Sequence, residues 1–206
     1  MKKKGITIYQ AKFTAGGLLL KENDRAIPFL LENGIENAQI LRDNPEYLGT
    51  NSLASRIRMV REILYRFNSL DIKLWEAYIQ LSRNDKRLLL YMSCLLTYPI
   101  LRDFHFKVVM VKWKELSYQL KLNDFQKFLY NSTEQHPEIE EWTDSTNTKM
   151  GTVTLRMLSE AGFLEKGKLL APDPSLSLLN LVVESGNSWF LEALLLPKLR
   201  RDELIK

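Results

Sequence analysis

The stretch Asn51-Ser52-Leu53-Ala54-Ser55-Arg56-Ile57-Arg58-Met59-Val60-Arg61-Glu62-Ile63-Leu64-Tyr65-Arg66-Phe67 decides how the rest of the chain is read. Leu53, Ile57, Val60, Leu64 and Phe67 recur at steps of 4, 3, 4 and 3 residues. That is the period of an amphipathic α-helix, and Asn51 or Ser52 stands at its capping position. The side opposite the stripe carries Arg58, Arg61 and Tyr65, within about 60° of one another on a helical wheel. Arg56 lies on the flank.

The same spacing extends outward in both directions. Upstream, a short helix is expected over 25–33, with Pro28 in its first turn and Gly34 as its stop. A second runs from Glu36 toward Arg42 and ends before Asn44-Pro45. Helix, break through Pro45 and Gly49, then basic helix is the layout of a helix-turn-helix, with a longer break than usual. Downstream, helices are expected over 71–81, 85–97, 99–118, 123–131, 145–161, 175–185 and 188–196. Gly162 closes the one over 145–161, and a hairpin tipped by Glu165-Lys166-Gly167-Lys168 follows. The expected fold is all-α: a compact multi-helix bundle with helix-turn-helix-like elements and at most one small β-hairpin. Its expected parts are an N-terminal helical subdomain (1–68), a central helical core (69–135) and a C-terminal subdomain with the hairpin (136–206).

Composition narrows the function. The 206 residues are 45% hydrophobic and 26% charged, enough for a sizeable core. Lys+Arg 29 against Asp+Glu 25 leaves +4, a mild excess that permits an anionic partner without demanding one. The single cysteine, Cys94, forms no internal disulfide, which fits a reducing cytoplasm. The longest uncharged apolar run, Leu88 to Leu101, holds Ser93, Thr97 and Pro99. It falls short of the roughly 20 residues of a membrane span and reads as a core helix. Lys2, Lys3 and Lys4 are followed by Gly5, Thr7 and Tyr9 without an apolar run, so no secretory signal is expected.

Little points to catalysis. The only histidines are His105 and His136, and no Cys or His pair has metal-ligand spacing. Gly16-Gly17 lacks the Lys-Ser/Thr of a phosphate loop and reads as a turn. Cys94, among Tyr91, Met92, Leu95 and Leu96, reads as an inert core thiol. His105 reads as a packed residue, and Glu138, Glu140, Glu141 and Asp144 as a solvated face. No catalytic residue, metal or cofactor is expected. Of the four tryptophans only Trp142, in a polar segment, is a candidate for base stacking.

The helix over 145–161 gives a second signal. Met150, Val153, Met157 and Ala161 form its expected buried face. Ser145, Lys149, Thr152 and Arg156 form one polar-basic stripe, suited to phosphates or base edges. Lys166 and Lys168 then tip a hairpin placed like the wing of a winged helix.

Several blocks together resemble the BrxA family of BREX bacteriophage-exclusion systems. They are Phe13-Thr14-Ala15-Gly16-Gly17-Leu18-Leu19-Leu20, Ser52-Leu53-Ala54-Ser55-Arg56-Ile57, Leu101-Arg102-Asp103-Phe104, Trp142-Thr143-Asp144-Ser145-Thr146 with Lys149 and Gly151, and Arg156-Met157-Leu158-Ser159-Glu160-Ala161-Gly162-Phe163-Leu164. The resemblance implies a helical fold similar to the antitermination factor NusB. It also implies a cytoplasmic role among other BREX proteins, with DNA bound through helix-turn-helix-like elements and no assigned catalytic residues.

The expected function is therefore a non-enzymatic, double-stranded-DNA-binding component of such a system, without a membrane partner. Its expected contacts are Arg56, Arg58, Arg61, Ser145, Lys149, Thr152, Arg156, Lys166 and Lys168. The alternatives are an RNA-binding protein of the NusB kind and a scaffold joining other defence subunits.

Overall fold

Asn23 hides the start of the first helix from a sequence reader. In the computed structural model, which describes residues 8–13 and 16–206, α1 spans Leu20–Asn33. Its buried face is Asn23, Ala26, Ile27 and Leu30, so an amide occupies the first apolar position. The Asn23 Nδ2 donates to the carbonyls of Leu18 (3.0 Å) and Leu19 (2.9 Å), which satisfies it in the interior. Pro28 is thus inside α1 and not in its first turn. It faces solvent, where water satisfies the carbonyl its missing N–H leaves free. Lys2, Lys3, Lys4, Thr14 and Ala15 lie outside the described residues.

The remaining helices are α2 (Gln39–Asp43), α3 (Pro45–Leu48), α4 (Leu53–Phe67), α5 (Ile72–Tyr78), α6 (Arg83–Thr97), α7 (Pro99–Phe104), α8 (Met110–Lys114), α9 (Leu122–Ser132), α10 (Asp144–Glu160), α11 (Leu176–Glu184), α12 (Trp189–Ala193) and α13 (Lys198–Leu204). The protein is all-α with one small ladder, β1 (Leu164–Glu165) against β2 (Lys168–Leu169). Side-chain caps start the main helices: Ser52 for α4, as the sequence implies, and also Asp71 for α5, Ser82 for α6, Thr143 for α10 and Ser175 for α11. The breaks proved more structured than expected. Pro45 opens the extra helix α3 inside the expected helix-turn-helix break, and a further helix, α13, follows Pro197.

The long helix expected over 99–118 is α7 and α8 joined by a π-helical turn, His105–Val109. The wide turn places His105 in the core. Its Nε2 donates to the Ala193 carbonyl (2.8 Å), and its Nδ1 accepts from the Tyr91 hydroxyl (2.8 Å). Burial pulls the imidazole down from 6.5 to about 4. Between those values the unfolded chain binds a proton that the folded chain refuses. This contribution to stability is therefore complete above pH 6.5 and is lost as pH falls toward 4, to an extent of about 3 kcal/mol. Urea titrations at neutral pH and near pH 4.5 check it. The acid loss should be smaller in His105→Gln, and an equal loss in both proteins would refute the assignment.

The core behind α10 is continuous with that of α6, whose residues Leu88 to Leu95 are all buried. Cys94 is fully buried there, and burial pushes its thiol up. A thiol reagent should leave the native protein unmodified over a period in which the urea-unfolded chain reacts completely. Fast reaction of the native state would show that α6 is not core. Among the described residues no helix is long and apolar enough to cross a membrane.

Candidate nucleic-acid interface

α10 is held by its inner face. Met150, Val153, Met157 and Leu158 are buried, and Ala161 follows them into the core. Gly151 lets α9 come close: a Cβ there would stand 2.5 Å from Leu122 Cδ1 and 2.9 Å from Phe125 Cδ1. The helix ends in a Schellman closure. Phe163 N–H donates to Leu158 O (2.8 Å), and Gly162 N–H donates to Ser159 O (3.1 Å). That turn feeds β1 directly.

The outer face of α10 then follows from geometry. Ser145, Lys149, Thr152 and Arg156 are all exposed in one row. The Arg156 Nε donates to Glu160 Oε1 at 2.8 Å, so its charge is shared. Lys149 has no ion-pair partner among the described residues.

The hairpin beside it is braced from outside. Leu169 N–H donates to Tyr118 O (2.7 Å) and Leu120 N–H donates to Gly167 O (2.9 Å). The segment around Gln119 therefore lies antiparallel to β2 as a third strand-like edge. The chain runs helix α7–α8, this edge, α9, α10, β1, tip and β2, and the edge lies next to β2. Lys166 (φ 48°) and Gly167 (φ 78°) make the two-residue tip, whose positive φ values match a hairpin turn of the primed kind. Lys166 and Lys168 are exposed.

The other basic helix is turned. Arg58, Arg61 and Tyr65 face solvent as its wheel implies, but of the apolar stripe only Val60 and Phe67 join the buried face. Leu53 is 51% exposed and Ile57 46%, whereas Arg56, Glu62, Ile63 and Arg66 are buried. The face that meets the core is thus rotated by roughly a quarter turn from the expected one. Arg56 is the correction this forces. At 7% exposure, its guanidinium donates to the carbonyls of Arg42 (2.6 Å), Thr50 (3.0 Å) and Asn51 (2.8 Å). It fastens α2 and the cap of α4 and is not offered to a ligand.

Arg66 is the larger surprise. It is fully buried, with Nη2 3.6 Å from Glu62 Oε2 and Nη1 donating to the carbonyls of Gly17 (3.0 Å) and Leu18 (3.2 Å). The Tyr98 hydroxyl donates to the same Glu62 carboxylate, and burial raises the phenol's pKa. Helical periodicity scores Glu and Arg as surface residues, so this network carries no sequence signal.

The structure also groups residues that the sequence leaves apart. Arg156 shares a cleft with Arg83 and Arg87, whose i, i+4 spacing was the one clue to them. Lys149, Thr152 and Arg156 lie on the same helix as one row, while Arg58 and Arg61 stand on a different one. Trp142 is half-buried and lines a second cleft with Tyr130. No group of three or more His, Cys, Asp or Glu side chains comes together for a metal among the described residues.

Fold and surface together define a helical protein with a hairpin-flanked, polar-basic helix at one corner. A family model described as BrxA matches residues 7–185, and the chain belongs to the BrxA family. It is 27% identical over 154 residues to a BREX protein BrxA from Escherichia coli O9:H4 (strain HS), covering 73% of this chain and 71% of that one. It is also similar in fold to an uncharacterized protein from Magnetospirillum magneticum, known from a crystal structure, with TM-score 0.79 and 19% identity over 91% of this chain and 98% of that one.

Proposed function

We propose that this protein is a non-enzymatic, cytoplasmic component of a BREX phage-defence system that binds double-stranded DNA through α10 and the adjoining hairpin. The observation that carries the reading is the exposed row Ser145, Lys149, Thr152 and Arg156 set beside the braced, lysine-tipped hairpin. A helix presented this way fits a major groove, and a basic hairpin beside it reaches the flanking backbone. Family membership and the similarity to a BREX protein support the defence role. The exposed side chains of the row and the hairpin tip are hydroxyls and cations and not aromatic platforms, which favours duplex DNA over single-stranded RNA at that face.

A mobility-shift titration tests this with duplex DNA, single-stranded DNA and RNA at about 50 and about 200 mM salt. Duplex should bind tightest and weaken steeply with salt. Preference for RNA would favour the NusB-like alternative, and absence of binding to all three would favour a scaffold.

One observation supports the scaffold reading in its own right. The outward turn of the α4 stripe leaves a groove between α4 and the segment ahead of α2, of about 500 Å³ and lined by Ile35, Ala38, Ile57, Leu64 and Tyr65. Apolar side chains concentrated on one open face suit a protein partner better than a phosphate backbone. Arg42 and Arg61 also line the groove, so in that reading they meet carboxylates of another BREX protein.

A further inference from the structure

The Gly16-Gly17 turn, which the duplex reading leaves unused, forms one wall of a cleft of about 430 Å³. Gly17 packs against the Glu160 carboxylate, which a larger residue would push aside. The Glu160 Oε2 accepts from Leu18 N–H at 2.5 Å, while its Oε1 holds Arg156. The turn then delivers the chain to α1 through Leu19, which sits at φ 57° and gives the helix no side-chain cap. Leu20, Lys21 and Glu22, which open α1 without the hydroxyl or carboxylate that caps α4, α5, α6 and α10, line the cleft.

Facing this turn, α6 presents Arg83 and Arg87 one helical turn apart, and Lys21 and Arg156 complete the cationic lining. Only Glu22 and Glu160 oppose them, so the cleft holds two more cations than carboxylates. Lys21, Arg83 and Arg87 have no ion-pair partner among the described residues. Arginine forks and free helix N–H groups both match the oxygens of a phosphate. Met59 and Leu20 add an apolar wall, and the volume falls in the range of small-ligand sites.

We propose that the cleft between α1, α6 and α10 binds a phosphate group, with Arg83 and Arg87 as its principal ligands. The phosphate belongs either to a free nucleotide or to a nucleic-acid backbone; the chemistry is common to both. The site shares Arg156 with the outer row of α10, but its principal ligands, Arg83 and Arg87, lie on α6, so it stands if the rest of that row and the hairpin fail to bind DNA.

The test uses the full chain, the double variant Arg83→Gln/Arg87→Gln, and a control of equal charge loss at two exposed lysines given no binding role, Lys73→Gln/Lys127→Gln. Thermal midpoints are read at constant ionic strength against inorganic phosphate and against ADP, with chloride as reference. Affinity for a duplex of arbitrary sequence is read across a salt series. A saturable rise in midpoint with phosphate or ADP, lost in the Arg83/Arg87 variant and kept in the control, supports a free-phosphate source. No such rise, but a salt slope reduced by about two in the Arg83/Arg87 variant alone, supports a backbone source. Equal responses in both variants overturn the proposal, as does the absence of any response to phosphate, ADP or duplex in the parent. A parent that responds to phosphate but binds no duplex refutes the duplex reading and leaves this site standing.

Discussion

Replacing Arg66 by alanine is expected to lower the unfolding free energy by about 3–5 kcal/mol, the usual loss when one member of a buried ion pair is removed. Glu62 would be left charged at zero exposure, with only the Tyr98 hydroxyl to stabilise it. The carbonyls of Gly17 and Leu18 would lose the donor that closes the turn ahead of α1. In a chain of this size the loss corresponds to a fall in thermal midpoint of roughly 10 °C. The double variant Glu62→Leu/Arg66→Met removes both charges and should recover at least half of the loss. Urea unfolding of the three proteins measures this. A single-variant loss below about 1 kcal/mol would show that the pair is solvated in solution and does not hold α4 to the glycine turn.

Reversing Lys149 and Lys166 to glutamate should weaken duplex binding by on the order of tenfold or more and flatten its salt dependence by about two counterions. Both side chains are exposed and neither forms an ion pair among the described residues, so the thermal midpoint should stay nearly unchanged. Arg156 is a poorer site for this reversal. A glutamate there would face Glu160 and loosen its bond to Leu18, mixing stability with binding. Reversal of Arg58 and Arg61 separates the two basic helices. If α10 and the hairpin carry the contact, that variant keeps most of its duplex affinity. Parent-like binding by both variants would remove both helices from the DNA face and move the scaffold reading to first place.

The sequence by itself determined the helical class and most helix starts, because these are local. Ser52, Ser82, Thr143 and Ser175 cap through backbone N–H groups three residues away, and no distant contact is needed to place them. It also determined the inner and outer faces of α10, where every polar residue of the outer row is solvated and Met150, Val153 and Met157 are core. The hairpin was legible for the same reason, since Gly167 in a short polar tip between two apolar pairs is a local turn signal.

Apart from the extra helices α3 and α13, what the sequence misread has one physical origin: polar side chains paired in the interior. Asn23, Arg56, Glu62 and Arg66 are buried because carbonyls or an opposite charge from elsewhere in the chain meet them. Hydrophobic periodicity counts each as solvent-facing, which delayed α1, rotated α4 and assigned Arg56 to a ligand. The cleft with Arg83, Arg87 and Arg156 belongs to the same class of fact. Its residues lie on α6 and α10, more than sixty positions apart. Only the packing of those helices against the glycine turn makes their charges neighbours, since a side chain's partners across such a distance are set by tertiary contact and not by local spacing.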